Sequence, residues 1–295
     1  MDRIRRRLLA AAAGGLIAPV TVRAAQLLRR RIPSSGEEIP VIGLGTAQHY
    51  ERPAAGQRET LERFATLGAS VIDTAPVYGD AETVVGDLLE QLGTRQRLFL
   101  ATKVSIMGRE SGVRQIEQSF ARLRAAMIDL VAVHNLRDTQ THLATLRGLK
   151  AQGRIRYVGV TTSFDRQYAD FEQTMRREAL DFIQVDYALD NRGAGERILP
   201  LAAERGMAVM VNLPFGRGRL FDAVRGRALP PWAAELDCAS WPQFFLKYIV
   251  SHPAVTCAVP GMARPEYVDD NLGAARGRLP DPALRRRMEA FIDAI

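Results

Sequence analysis

The chain has 295 residues, 47% of them hydrophobic and 25% charged, which suits one α/β domain of barrel size, about 250 residues, plus a short extra segment. The formal net charge of +7 invites a nucleic-acid reading, yet residues 1–31 carry eight Arg and one Asp and so hold all of it. The remainder is neutral overall, which argues against a basic face for nucleic acid.

The first predicted element is a leader. Ile4-Arg5-Arg6-Arg7-Leu8-Leu9 opens an apolar stretch that runs to Val22 and is interrupted by Gly14, Gly15 and Pro19. It is shorter than the ~20 residues needed to cross a bilayer. A basic start, an apolar middle and the small residues Ala24 and Ala25 describe a secretory signal peptide over residues 1–25. The Arg pair, one residue, then two apolar residues resembles a twin-arginine export signal. Residues 26–295 are then the mature chain, delivered to the periplasm by the twin-arginine machinery, with no stable membrane span after cleavage. The alternative is an uncleaved amphipathic helix on a cytoplasmic protein.

After the leader, Ile32 to Ile39 reads as a small hairpin with Ser34-Ser35-Gly36-Glu37 at the turn. Eight apolar runs follow, at 41–45, 69–73, 97–102, 127–133, 155–160, 181–186, 207–212 and 255–259, with helical patterns between them. Arg58 to Leu67, for example, places Leu61, Phe64 and Ala65 on one stripe. Gly68, Gly93, Gly153 and Gly206 stand where helices should end. Strand, helix and Gly recurring at this interval predict a (β/α)8 TIM barrel with a short N-terminal β-hairpin and a last helix from Pro282 to Ala294. One barrel domain is expected, with a monomer as the default.

Three of the strands end in reactive side chains. Val71-Ile72-Asp73 leads into a Pro- and Gly-marked loop that carries Tyr78; Lys103 closes the next strand, and His134 the one after. In a parallel barrel the C-terminal strand ends converge on one face, where such folds do their chemistry. Only three cations are lysines, Lys103, Lys150 and Lys247, and an ammonium at the end of an apolar strand needs an acidic partner. A reaction that builds negative charge on an oxygen calls for a positioned acid and further donors. Tyr78 is the candidate acid, Lys103 the group that lowers its pKa, Asp73 the anchor of that ammonium, and His134 the second donor. Cys238 and Cys257 lack metal-ligand spacing and no metal is expected; Cys257 lies in an apolar run and reads as a buried free thiol. His142 and His252 read as surface residues.

With Gly43-Leu44-Gly45-Thr46, Asp73, Tyr78-Gly79, Lys103, His134, Gly159-Val160, Gln184, Pro260-Gly261 and Asn271, the chain resembles the aldo/keto reductase family over about residues 32–275, as a bacterial member with an export leader. The resemblance implies hydride transfer from a nicotinamide cofactor, NADPH with NADH as the alternative, to an aldehyde or ketone. It also implies a cofactor site at Gly45, Thr46, Thr161, Thr162, Gln184, Asn212, Phe215, Gly216, Gly218, Pro260, Gly261, Arg264 and Asn271. The sequence departs from the family in three places. Thr161-Thr162 replaces the usual Ser-Asn pair at the end of the fifth strand. Asn212 stands where an aromatic stacks on the nicotinamide, leaving Phe215 as the substitute. Gly261-Met262-Ala263-Arg264 lacks a Lys-Ser pair for the 2′-phosphate, leaving Arg264. Tyr50, Val77, Leu136, Ile106, Met107 and Trp232 are expected around an open substrate pocket. Two other readings remain at this point: an aldolase with Lys103 as Schiff-base nucleophile, and a nicotinamide-binding sensor or scaffold barrel without useful catalysis.

Overall fold

The computed structural model describes residues 26–295, so the predicted leader lies outside the described residues. Strands β1 (Arg29–Arg31) and β2 (Glu38–Pro40) form the expected hairpin, paired antiparallel with Arg30 opposite Ile39. The barrel then begins with β3 (Leu44–Gly45), α1 (Gln57–Thr66), β4 (Val71–Asp73) and α2 (Ala81–Leu92). It continues through β5 (Phe99–Val104), α3 (Arg109–Arg122), β6 (Ile128–Val133), α4 (Thr139–Ala151), β7 (Ile155–Thr161) and α5 (Tyr168–Arg177). The second half is β8 (Phe182–Asp186), α6 (Ala194–Glu204), β9 (Ala208–Asn212), α7 (Arg219–Ala223), α8 (Trp241–Val250), β10 (Val255–Ala258) and α9 (Pro265–Gly273). The last helix, α10 (Pro282–Asp293), starts on an Asp281 cap whose side chain accepts from the Leu284 amide.

The eight strands β3 to β10 are parallel and neighbour one another in chain order. Bridges Ile42–Ala258 and Gly45–Gly261 join the first strand to the last and close the barrel. Closure needs glycine here: a Cβ on Gly45 would lie 2.7 Å from the Val259 carbonyl oxygen. The expected fold is therefore the observed one.

Alternation along each strand sorts the side chains. Val71, Phe99, Ala101, Leu130, Tyr157, Phe182, Ala208, Met210, Cys257 and Val259 pack together inside the barrel, with Ile32 and Ile39 of the hairpin segment closing its floor. The intervening residues, such as Ile72, Leu100, Val131 and Ile183, face the helices in a separate and larger core. Each strand's inner row continues upward by steps of two. Val71 leads to Asp73, Ala101 to Lys103, Phe182 to Gln184 and Met210 to Asn212. The same parity that fills the barrel with apolar groups thus sets a polar layer on top of them.

Candidate active site

Lys103 is 2% exposed. Its ammonium donates to both Asp73 oxygens, at 2.8 Å and 3.0 Å, and to the Thr74 carbonyl at 2.8 Å. With Tyr78 as a further hydrogen-bond partner, these acceptors give a buried ammonium the contacts it requires. Burial alone would lower its pKa, but Asp73 and then Tyr78 outweigh burial and hold it above 10.5, so Lys103 stays charged. The ammonium lies 5.1 Å from the centroid of the Tyr78 ring. The His134 ring meets Tyr78 edge-on, with centroids 5.9 Å apart. The four residues expected to work together are together.

The balance at Tyr78 differs from the expectation. Lys103 and the more distant Arg217 pull the phenol pKa down, but burial pushes harder in the other direction and Asp73 adds to it, so the net shift is upward. His134 is driven down to about 3 by burial and then by the Lys103 charge. Its imidazole is neutral at physiological pH and carries one N–H. His134 Nδ1 is buried without a partner.

The segment after His134 is bent tightly: Asn135, Leu136 and Asp138 all have φ between 49° and 56°. The Asn135 amide donates to Thr161 Oγ1 at 3.0 Å, and the Asn135 carbonyl accepts from Gln167 Nε2 at 3.1 Å. The facing loop after β5 is fastened to α4 by two contacts. His142 Nε2 donates to the Ile106 carbonyl at 2.6 Å, and the Gly108 amide donates to Asp138 at 2.7 Å. His142 is completely buried, which corrects its reading as a surface residue. His252 is half-buried, and burial followed by Arg285 and Arg30 lowers it to about 4. Val77 and Met107 are 51% and 58% exposed, and Leu136 is half-buried beside the core. Tyr50, by contrast, is fully buried, its hydroxyl has no partner, and burial raises its pKa. Trp232 is packed on Phe244 and Phe291 with Arg287 over its ring.

Beyond the tetrad, a cleft of about 470 Å³ runs over the ends of β7, β8 and β9, lined by Ser163, Asp186, Asp190, Leu213, Gly216 and Arg217 among others. The turn Gly216–Gly218 has positive φ at all three residues, and a Cβ on Gly216 would lie 2.5 Å from Asp190. Arg219 pairs with Asp190 at 2.9 Å, whereas Arg217 is exposed at the cleft. Phe215 turns its ring to Phe221 and Phe245, with centroids 4.9 Å and 6.4 Å away, and belongs to that aromatic cluster.

Gly45 and Pro260 meet in the barrel seam, where the Gly45 amide donates to the Pro260 carbonyl at 2.9 Å. Thr46 donates to the Asp73 carbonyl through both its amide and its hydroxyl. Gly261 lies under the His49 ring, 2.4 Å from where its Cβ would be. Arg264 immediately precedes α9, and Asn271 is buried within that helix. The nearby acids are already engaged, Asp269 by Arg63 at 2.7 Å and Asp270 by Ser240 and Gln243.

The aldo/keto reductase family model matches residues 41–289. The chain belongs to the aldo/keto reductase family. This is a family of NAD(P)H-dependent oxidoreductases that act on carbonyl groups. Methylglyoxal reductase YeaE of Escherichia coli (strain K12) is 30% identical over 279 residues, covering 89% of this chain and 95% of that one. A Klebsiella pneumoniae aldo-keto reductase solved in complex with NADPH is 27% identical, with a TM-score of 0.75 over 91% of this chain and 95% of that one. A second K. pneumoniae aldo/keto reductase structure, in complex with NADP and acetate, is also 27% identical, with a TM-score of 0.73 over 91% of this chain and 96% of that one.

For an aldo/keto reductase the local fit to a nicotinamide nucleotide can be tested on this chain's own atoms. Gln184 is 4% exposed and its Nε2 is buried without an acceptor, an arrangement that costs free energy unless a ligand oxygen completes it. In the positive-φ turn at Gly216–Gly218 the two glycine amides already donate to the Leu213 and Phe215 carbonyls, and the turn presents the exposed Arg217 to the cleft, a cation suited to a diphosphate. Both features fit the group. No helix among the described residues is long and apolar enough to cross a membrane. No group of three or more His, Cys, Asp or Glu among them could hold a metal ion.

Proposed function

We propose that this chain reduces aldehyde or ketone carbonyls with NADPH, using Tyr78 as the general acid. The observation that carries the reading is the buried Lys103–Asp73 pair, its ammonium 5.1 Å from the Tyr78 ring, with the His134 ring edge-on to the same phenol. NADPH, when bound, supplies the hydride. Tyr78 gives its proton to the carbonyl oxygen as charge develops there. Lys103 stabilises the phenolate left behind, and Asp73 keeps Lys103 charged and aimed. His134, neutral and still carrying one N–H, orients the carbonyl oxygen and shares its charge. An apolar rim of Val77, Met107 and Leu136 admits substituents of varied size. The similarity to a methylglyoxal reductase makes small α-oxoaldehydes the first substrates to try.

The geometry disfavours Lys103 as a Schiff-base nucleophile. Such a lysine must be neutral with a free lone pair, whereas Lys103 is held charged with its N–H groups bound. The deciding experiment compares wild type with Tyr78→Phe, following NADPH fluorescence on titration and absorbance decay on an aldehyde panel. Unchanged binding with turnover reduced about 10²–10⁴-fold is the expected result. Turnover that survives Tyr78→Phe would remove the assignment. We further propose export to the periplasm by the twin-arginine route, from the pattern at Arg5-Arg6-Arg7-Leu8-Leu9. Retention of an Arg5→Lys/Arg6→Lys variant in the cytoplasm is expected on cell fractionation, and equal export of both forms would end that reading.

A further inference from the structure

Two unpartnered polar atoms sit at the C-terminal ends of the adjacent strands β8 and β9. Gln184 Nε2 is a donor without an acceptor, and Asn212 Oδ1 is an acceptor without a donor. The orientation of the Asn212 amide is set by its other end, because Nδ2 donates to the Thr162 carbonyl at 3.1 Å, and a carbonyl can only accept. Oδ1 is therefore the end left over. Asn212 continues the inner row of β9 two residues past Met210, and Met210 pairs with Gln184 across the β8–β9 ladder. The two side chains consequently share the inner face at neighbouring positions.

One buried donor beside one buried acceptor is the complement of a primary carboxamide, which offers a carbonyl oxygen and an N–H. Thr162, one of the cofactor residues that the resemblance implies, is already engaged. Its hydroxyl donates to Gln167 Oε1 at 2.8 Å and accepts from the Phe164 amide at 3.2 Å. We propose that Asn212, together with Gln184, grips the carboxamide of the nicotinamide, so that the amide contact sits on β9. Asn212 Oδ1 accepts the carboxamide N–H, Gln184 Nε2 donates to its oxygen, and the Thr162 carbonyl fixes Asn212. With no aromatic at position 212 and Phe215 turned into its own cluster, the ring is located by these polar contacts. This assignment rests on the NADPH reading above.

The test measures dissociation constants for three ligands by fluorescence or calorimetry, with no turnover needed. They are NADPH; its reduced 3-acetylpyridine analogue, in which a methyl replaces the carboxamide NH₂; and 2′,5′-ADP, which has no nicotinamide. Wild type is expected to favour NADPH over the analogue by roughly tenfold, the worth of one well-placed hydrogen bond. Asn212→Leu should abolish that preference while leaving 2′,5′-ADP affinity within about twofold. Gln184→Leu should weaken NADPH and the analogue alike, because both keep the carbonyl oxygen. Equal discrimination in wild type and Asn212→Leu would overturn the assignment and leave the NADPH reading standing. Failure of wild type to bind any of the three ligands would overturn both.

Discussion

Replacing Asp73 by Asn attacks the centre of the site, and its effect can be worked from the contacts. Lys103 loses its counter-charge and keeps the Thr74 carbonyl plus, at best, one amide oxygen, so a buried ammonium is left short of an acceptor. Breaking a buried pair on one side typically costs about 3–5 kcal/mol. A ceiling follows from protonation. The variant can always fold with a neutral lysine, and deprotonating a group of pKa 10.5 at pH 7 costs about 5 kcal/mol. The sign of the pH dependence is more telling than the size. In wild type Lys103 sits above 10.5, so its contribution is complete at neutral pH and is lost only as pH climbs through that raised value. In Asp73→Asn burial is still opposed by Tyr78 but no longer by Asp73, and Lys103 is expected to fall below 10.5. The unfolded chain then binds more protons between the two values, and the variant's stability rises with pH across that window. Urea unfolding followed by Trp fluorescence at pH 7 and pH 9.5 should show the gap to wild type narrowing, by at most about 3 kcal/mol for one proton over that interval. The double variant Asp73→Leu/Lys103→Met should recover most of the loss, since an apolar pair of similar volume leaves no charge buried. A gap under about 1 kcal/mol at pH 7, or one that does not change with pH, would refute the reasoning.

His134, held near 3 in the folded chain against 6.5 unfolded, should remain neutral by NMR titration down to pH 4. Because the unfolded state binds the extra proton, wild type should lose roughly 3–5 kcal/mol of stability between pH 6.5 and 3 from this group, and His134→Gln should lack that component of the slope. In α2, Gly86→Ala should destabilise, although Ala normally gains about 1 kcal/mol over Gly in a helix interior. The new Cβ would stand 2.0 Å from the Arg122 carbonyl oxygen, and thermal unfolding should show a lower Tm. Arg264→Ala should weaken NADPH far more than NADH in binding titrations, and equal loss for both would remove Arg264 from the 2′-phosphate site.

Much of this was legible because the barrel imposes one simple parity. Asp73, Lys103, Gln184 and Asn212 stand two residues past apolar inner residues, so strand ends read from the sequence already placed them on one face. What escaped was set by contacts that leave no mark on residue type. The third acceptor of Lys103 is the backbone carbonyl of Thr74, and the left-handed bend at Asn135–Leu136 exists only once the chain is folded. Tyr50 follows a short turn, its amide bonded to the Thr46 carbonyl, and that turn drives the ring inward. His142 could have been found: with Leu143 and Leu146 it lies on the buried stripe of α4, a helical spacing that a surface histidine does not need.

The phenol at the centre of the site carries the last consequence. An ammonium beside a Tyr suggests a depressed pKa, but here burial outweighs Lys103 and Arg217, and Tyr78 lies above its ordinary 10.0. The acid is therefore fully protonated throughout neutral pH. What Lys103 contributes is stabilisation of the phenolate after transfer, an effect expressed in the transition state. Reduction should then show kcat/KM independent of pH from 6 to 9, because neither Tyr78, His134 nor Lys103 changes protonation in that range. The reverse reaction, alcohol oxidation, needs the phenolate as base and should rise steadily with pH over the same interval, by about tenfold per unit. Rates measured in both directions across pH 6–9 decide the matter. A titration limb near pH 7–8 in the reductive direction would mean that the ammonium, and not burial, sets the acidity of Tyr78.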